Sequence, residues 1–213
     1  MINSPEKIIF LPGASGNTQF WRPVCELLRI RAQRLHVGWP GFGDMPPIPS
    51  VASMDDLVAR VVAEIDRPTA LVAQSMGGIV AMRVALENPD LITHLVLTVT
   101  SGGVDMSDLG AHDWREEFAA NYPELPRWFL DDRTDLTHRL LELHMPVLLI
   151  WGDCDPISPV GVGQRLMQLL PSAEIHVLPG GGHDLGFTHP VEVAGLIDKH
   201  LAHGLPEPSP ILT

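Results

Sequence analysis

The sequence is short of several features that would mark particular functions. It has two cysteines, Cys25 and Cys154, among 213 residues. A secreted scaffold held by disulfides carries more, so the two read as free thiols in a reducing compartment. Basic side chains are few: Lys and Arg total 14 against 26 Asp and Glu, a formal charge of −12. No Lys/Arg run is present to neutralise phosphates, which argues against nucleic acid as a partner. The acidity favours solubility and says little about a substrate. No stretch nears the roughly 18 unbroken apolar residues of a membrane span. The start, Met1 to Lys7, lacks the basic segment and long apolar core of a secretion signal. These absences predict a soluble, cytoplasmic protein with no membrane partner.

What is present is the material of a globular core. Hydrophobic residues make up 45% and charged residues 19%, a balance foreign to disordered chains. A chain of this length buries roughly 70% of its unfolded surface, so no disulfide or metal is required to hold it. Short apolar runs alternate with longer amphipathic stretches. Strands are predicted at residues 8–11, 34–37, 69–73, 95–99, 147–151 and 175–178. Helices are predicted at 20–28, 55–65 (with Ser53 as N-cap), 76–87, 162–170 and 190–201. Asn88-Pro89 ends the third of these. Such alternation specifies an α/β fold, with about six parallel strands flanked by helices on both faces. Val147-Leu148-Leu149-Ile150 and Leu95-Val96-Leu97 are continuous apolar runs, as strands buried on both faces require.

Residues 101–144 break the rhythm, being far longer than an ordinary connection. They carry Trp114, Phe118, Tyr122, Trp128 and Phe129. We read them as a small helical cap inserted in a domain spanning residues 1–203, with Trp114, Tyr122, Trp128 and Phe129 shaping a substrate pocket. The plainer reading is a surface excursion packed on the body. Proline recurs through residues 204–213, which predicts a flexible tail.

Three segments carry chemistry. In Ala73-Gln74-Ser75-Met76-Gly77-Gly78 an apolar strand runs straight into a helix, with a serine at the junction. Small neighbours allow so sharp a turn, and the helix N-terminus favours developing negative charge there. A serine hydroxyl needs a base. Of ten histidines, His183 stands in a glycine-rich loop after the last strand, Gly180-Gly181-Gly182-His183. The others fall in strands, helices, the cap or the tail, except His94 and His189, whose context is less clear. The base needs an acid to orient it. Asp155, in Asp153-Cys154-Asp155-Pro156, fits best, with Asp153 as the fallback. A tetrahedral oxyanion needs two N–H donors. Met76, after the serine, supplies one. Ala14, in the turn Leu11-Pro12-Gly13-Ala14-Ser15-Gly16, supplies the other. That turn begins like a dinucleotide site but lacks the third glycine of G-x-G-x-x-G, and no acidic residue ends the second strand.

The chain resembles the α/β-hydrolase superfamily over about residues 7–203. The resemblance rests on Leu11-Pro12-Gly13-Ala14, Gly38-Trp39-Pro40-Gly41-Phe42-Gly43-Asp44, Gln74-Ser75-Met76-Gly77-Gly78, Trp151-Gly152-Asp153-Cys154-Asp155-Pro156 and Gly182-His183. It implies a G-x-S-x-G nucleophile elbow and the chain order Ser75, Asp155, His183. Two positions depart from the family pattern. Pro12 stands where many members have histidine, and Ala73 where they have glycine; neither removes a catalytic group. The resemblance implies hydrolysis of small ester or thioester substrates with no cofactor and no metal. The same triad also serves carbon–carbon bond hydrolysis, lyase, peroxidase or acyl-transfer chemistry. A non-catalytic ligand-binding member is a further alternative.

Overall fold

Apolar runs that must be buried on both faces become the middle of a parallel sheet. In the computed structural model, which describes residues 4–202, strands and helices alternate up to the last strand, after which two helices follow. They are β1 (Lys7–Leu11), α1 (Arg22–Leu27), β2 (Gln33–His36), α2 (Met54–Val62), β3 (Thr69–Gln74), α3 (Met76–Glu87), β4 (Ile92–Thr98), α4 (Arg115–Asn121), β5 (Val147–Gly152), α5 (Val160–Leu169), β6 (Ala173–Leu178), α6 (Leu185–Thr188) and α7 (Pro190–Leu201). The predicted tail, residues 204–213, lies outside the described residues.

The six strands are all parallel, in the order β2-β1-β3-β4-β5-β6. Every residue of β1, β3, β4 and β5 is buried, whereas the two edge strands are not. Strand order reverses at the β1/β3 boundary. Right-handed crossovers therefore put α1 on one face and α2, α3 and α5 on the other. α7 returns to pack on α1, and α2 packs on α3. A reversal of this kind opens a crevice at the carboxyl ends of the two strands beside it. The loops after β1 and β3, which carry Ala14 and Ser75, border that crevice.

No predicted boundary moves by more than three residues, and two differences from the sequence expectation have a clear cause. β4 begins at Ile92, three residues before the apolar run, because Thr93 and His94 are buried although polar. α6 is an extra short helix directly after His183.

The segment between β4 and β5 holds less helix than expected. Seven residues form α4, and Trp128–Asp131 and Thr137–Glu142 form 3-10 turns. Pro123 and Pro126, which donate no backbone hydrogen bond, interrupt the stretch after α4. Its aromatics pack on one another and on the body. Phe129 and Trp128 meet Phe42 with ring centroids 5.1 and 5.9 Å apart, and Trp114 meets Phe118 at 5.4 Å.

Candidate active site

Ser75 sits between β3 and α3 with φ 52° and ψ −122°. Non-glycine residues adopt a positive φ at a cost, and such strain concentrates where function needs it. The surroundings hold it in place: Ser75 N donates to Thr98 O at 3.0 Å, and Thr100 Oγ1 donates to Ser75 O at 2.6 Å. Gly77 makes the turn possible, since a Cβ there would press on the Pro12 carbonyl. Ala73, in place of the expected glycine, lies fully buried within β3.

His183 follows β6, and Asp155 follows β5. His183 Nε2 is 3.0 Å from Ser75 Oγ, and His183 Nδ1 is 2.8 Å from Asp155 Oδ2. A carboxylate only accepts, so Nδ1 carries the proton and donates to Asp155; Nε2 is then the acceptor for the serine hydroxyl. The Asp155 side chain is fully buried, and its Oδ1 accepts from Ile157 N at 2.8 Å. Asp153, the fallback acid, turns away from the imidazole. Its Oδ1 accepts from Gly180 N at 2.7 Å and lies 3.3 Å from Cys154 Sγ. That hydrogen bond to Asp153, ahead of its charge, pushes the exposed Cys154 thiol above its ordinary pKa.

The loop after β1 is anchored by two indoles. Trp21 Nε1 donates to Leu11 O at 2.9 Å, and Trp39 Nε1 to Pro12 O and Gly13 O, both at 3.1 Å. Those carbonyls are thereby turned into the body. Gly16 N donates to Gly13 O, closing a turn around Ala14 and Ser15 whose own bond does not use Ala14 N. Met76 N is at the first position of α3, where a helix N–H has no intrahelical acceptor.

Two cavities open on Ser75, and a third adjoins one of them. A narrow one of about 70 Å³ is lined by Ser75, Met76, Val99, Phe129, Ile157 and His183. It shares Ser101, Met106, Arg115 and Asp132 with a polar chamber of about 420 Å³. On the other side an apolar chamber of about 270 Å³ is lined by Ala14, Phe20, Phe118 and Ile157, again with Ser75 and His183. Trp114 lines all three.

Two predicted pocket residues are placed elsewhere. Tyr122, the C-cap of α4, is 45% exposed and packs on Phe118. Trp128 turns its ring onto Phe42 and Phe129. Neither lines a cavity beside Ser75, because one lies past the end of α4 and the other is spent on fastening the segment to the body. Phe118, Phe20 and Ile157 line the apolar chamber and were not singled out from the sequence. Ile157 follows Asp155 closely enough to have been found. Phe20 and Phe118 carry no local signal for it.

A family model described as the alpha/beta hydrolase family matches residues 8–142. The chain belongs to that family. The matched segment of this alpha/beta hydrolase takes in Ala14, Ser75 and Met76 and ends before Asp155 and His183. The hydrolase is 27% identical to the 2-hydroxy-6-oxononadienedioate/2-hydroxy-6-oxononatrienedioate hydrolase of Burkholderia vietnamiensis, over 84% of this chain and 79% of that one. It is 25% identical to the pimeloyl-(acyl-carrier protein) methyl ester esterase of Neisseria meningitidis, over 98% of this chain and 81% of that one. Its fold is like that of a thermophilic esterase from Thermogutta terrifontis, with a TM-score of 0.75 at 21% identity, covering 92% of this chain and 89% of the other. Among the described residues no helix of this alpha/beta hydrolase is long and apolar enough to cross a membrane.

Proposed function

We propose that this protein is a serine hydrolase that cleaves small ester or thioester substrates through an acyl-enzyme on Ser75. One observation carries the reading: an unbroken chain of hydrogen bonds from Ser75 Oγ to His183 Nε2 at 3.0 Å, and from His183 Nδ1 to Asp155 Oδ2 at 2.8 Å. Ser75 Oγ attacks the carbonyl carbon as its proton passes to His183 Nε2. Asp155 holds the ring and stabilises the imidazolium. The carbonyl π pair moves onto oxygen, where the N–H groups of Ala14 and Met76 receive it. Collapse breaks the C–O or C–S bond, and the leaving group takes the proton from His183. Water then repeats the sequence: it gives a proton to His183, attacks the acyl carbon and frees Ser75, which recovers its proton.

Residues 101–144 serve as the roof of the pocket, with Trp114 and Phe129 against the substrate and the apolar chamber taking its hydrocarbon part. Two free thiols, Cys25 and Cys154, support a reducing cytoplasmic setting. The partner is a small molecule.

A second reading, carbon–carbon bond hydrolysis by the same residues, is favoured by the Burkholderia vietnamiensis relative, whose name is that of a dienedioate hydrolase. Treatment with a fluorophosphonate probe, with the adduct located by mass spectrometry, tests what the two readings share. We expect one adduct on Ser75, absent from Ser75→Ala. No adduct on the folded protein would overturn the nucleophilic mechanism and favour a ligand-binding member. Products from a panel of esters, thioesters and 2-hydroxy-6-oxo-dienoates then separate hydrolysis of C–O, C–S and C–C bonds from lyase or acyl-transfer outcomes.

A further inference from the structure

His183 has a positional problem. Three glycines, Gly180, Gly181 and Gly182, precede it, and a chain so free in φ and ψ does not by itself hold an imidazole in register. Asp155 orients the ring, but a ring can turn correctly on a backbone that is displaced. Most hydrogen bonds of this loop run to the acid turn or to the loop itself. Cys154 N donates to Gly181 O, the Asp153 carboxylate accepts from Gly180 N, and Gly181 N donates back to Leu178 O. These let the loop and the acid turn shift together relative to the serine.

One side chain crosses to the nucleophile. Gln74 Nε2 donates to the backbone oxygen of His183 at 3.0 Å, joining residues 109 positions apart in sequence. Gln74 is the last residue of β3, paired with Thr98 of β4, and the immediate neighbour of Ser75. It is 6% exposed. Its other amide atom, Oε1, lies against Gly13, where a Cβ would run into it. The amide is thus wedged between the loop that offers Ala14 and the loop that bears His183.

We propose that Gln74 is a positioning residue that sets the distance between His183 and Ser75; this rests on the serine-hydrolase reading above. It touches neither the transferred proton nor the reacting carbonyl. It acts by tying the base's backbone to the rigid strand that carries the nucleophile. Small displacements of a reacting pair cost rate steeply, and this tether bears on proton transfer in both halves of the cycle. Its loss therefore falls on kcat and on the rate of covalent labelling rather than on KM.

Gln74→Met keeps length and volume and removes the donor. We expect kcat and the fluorophosphonate inactivation rate to fall about tenfold, the order expected when a positioned hydrogen bond is lost. KM stays within twofold and Tm falls by no more than a few degrees. Gln74→Leu also removes the donor without adding a charge, and shows the same loss; it serves as the second variant should Gln74→Met be unstable. Rates within twofold of the unsubstituted protein in both variants, or a loss confined to KM, overturn the proposal while Ser75 labelling in the parent stands. Failure of the parent to label at Ser75 overturns the serine-hydrolase reading and this proposal with it.

Discussion

Two aspartates two residues apart do different work, and the difference lies in what each carboxylate meets. Asp155 is buried against His183 Nδ1, whereas Asp153 is exposed and occupied by Gly180 N and the Cys154 thiol. Asp155→Asn can present an amide N–H to Nδ1 and so stabilise the wrong tautomer, with an expected loss in kcat of about 10⁴ and the fold intact. Asp153→Asn keeps most of the activity. It also removes the negative charge and leaves the Cys154 thiol only a weaker, neutral acceptor, so less holds that thiol above its ordinary pKa. The thiolate fraction at pH 8 then rises, and alkylation of Cys154 by iodoacetamide, followed by mass spectrometry, runs faster in the variant. Equal alkylation rates would break that link. The meeting of Ser75, Asp155 and His183 was legible because each follows a predicted strand, β3, β5 and β6 in turn. Gln74 and Thr100 were not legible as supports: Gln74 bonds to His183 O and Thr100 to Ser75 O, residues 109 and 25 positions away, and no local pattern records a hydrogen bond between distant strands and loops.

At the scale of elements, local chemistry wrote the boundaries where side chains cap the backbone and failed to where tertiary burial overrides composition. Ser53 was legible as the start of α2. Its Oγ accepts from Asp56 N at 3.2 Å and donates to Asp56 Oδ2 at 2.7 Å, and Asp56 Oδ2 also accepts from Ala52 N. Ser53→Ala removes the cap at a cost of about 1 kcal/mol, read as a fall in Tm of roughly 2–4 °C for a domain of this size. The hydrogen bond from Ser53, then that from Ala52, holds the Asp56 carboxyl below its ordinary pKa. A carboxyl depressed on folding contributes stability above its unfolded pKa, about 4, and loses it as pH falls through the folded value. The difference in Tm between parent and variant is therefore full at neutral pH and shrinks below about pH 4. A difference independent of pH would mean the Asp56 carboxylate takes no part in the cap. β4 shows the opposite case. Thr93 and His94 look like connection residues, yet both are buried because β4 has a strand on either side and helix packing across it. α6 was invisible for a similar reason: four residues are too few to show a period.

The architecture of the whole molecule was legible in its alternation, which requires a parallel sheet with helices on two faces. The division of space around Ser75 was not, because each chamber draws its walls from segments far apart in the chain. The apolar chamber takes Ala14 and Phe20 from the β1–α1 connection, Phe118 from α4 and Ile157 from the turn after β5. Trp114 is common to that chamber, the narrow cavity at Ser75 and the polar chamber beyond. Its indole packs on Phe118 and Phe129, so it stands as the wall between the two larger spaces. Removing a wall of this kind leaves the serine and its partners in place and changes what fits beside them. Trp114→Ala joins the chambers, and the ratio of kcat/KM for a p-nitrophenyl octanoate to that for the acetate should rise by about tenfold, the reach of a few methylenes newly taken out of water. The acetate itself, which needs neither chamber, should be turned over with a similar kcat. If the ratio does not move while Ser75 still labels, the long chain already has its path through the apolar chamber alone, and Trp114 is a support for the roof and not a divider of the site.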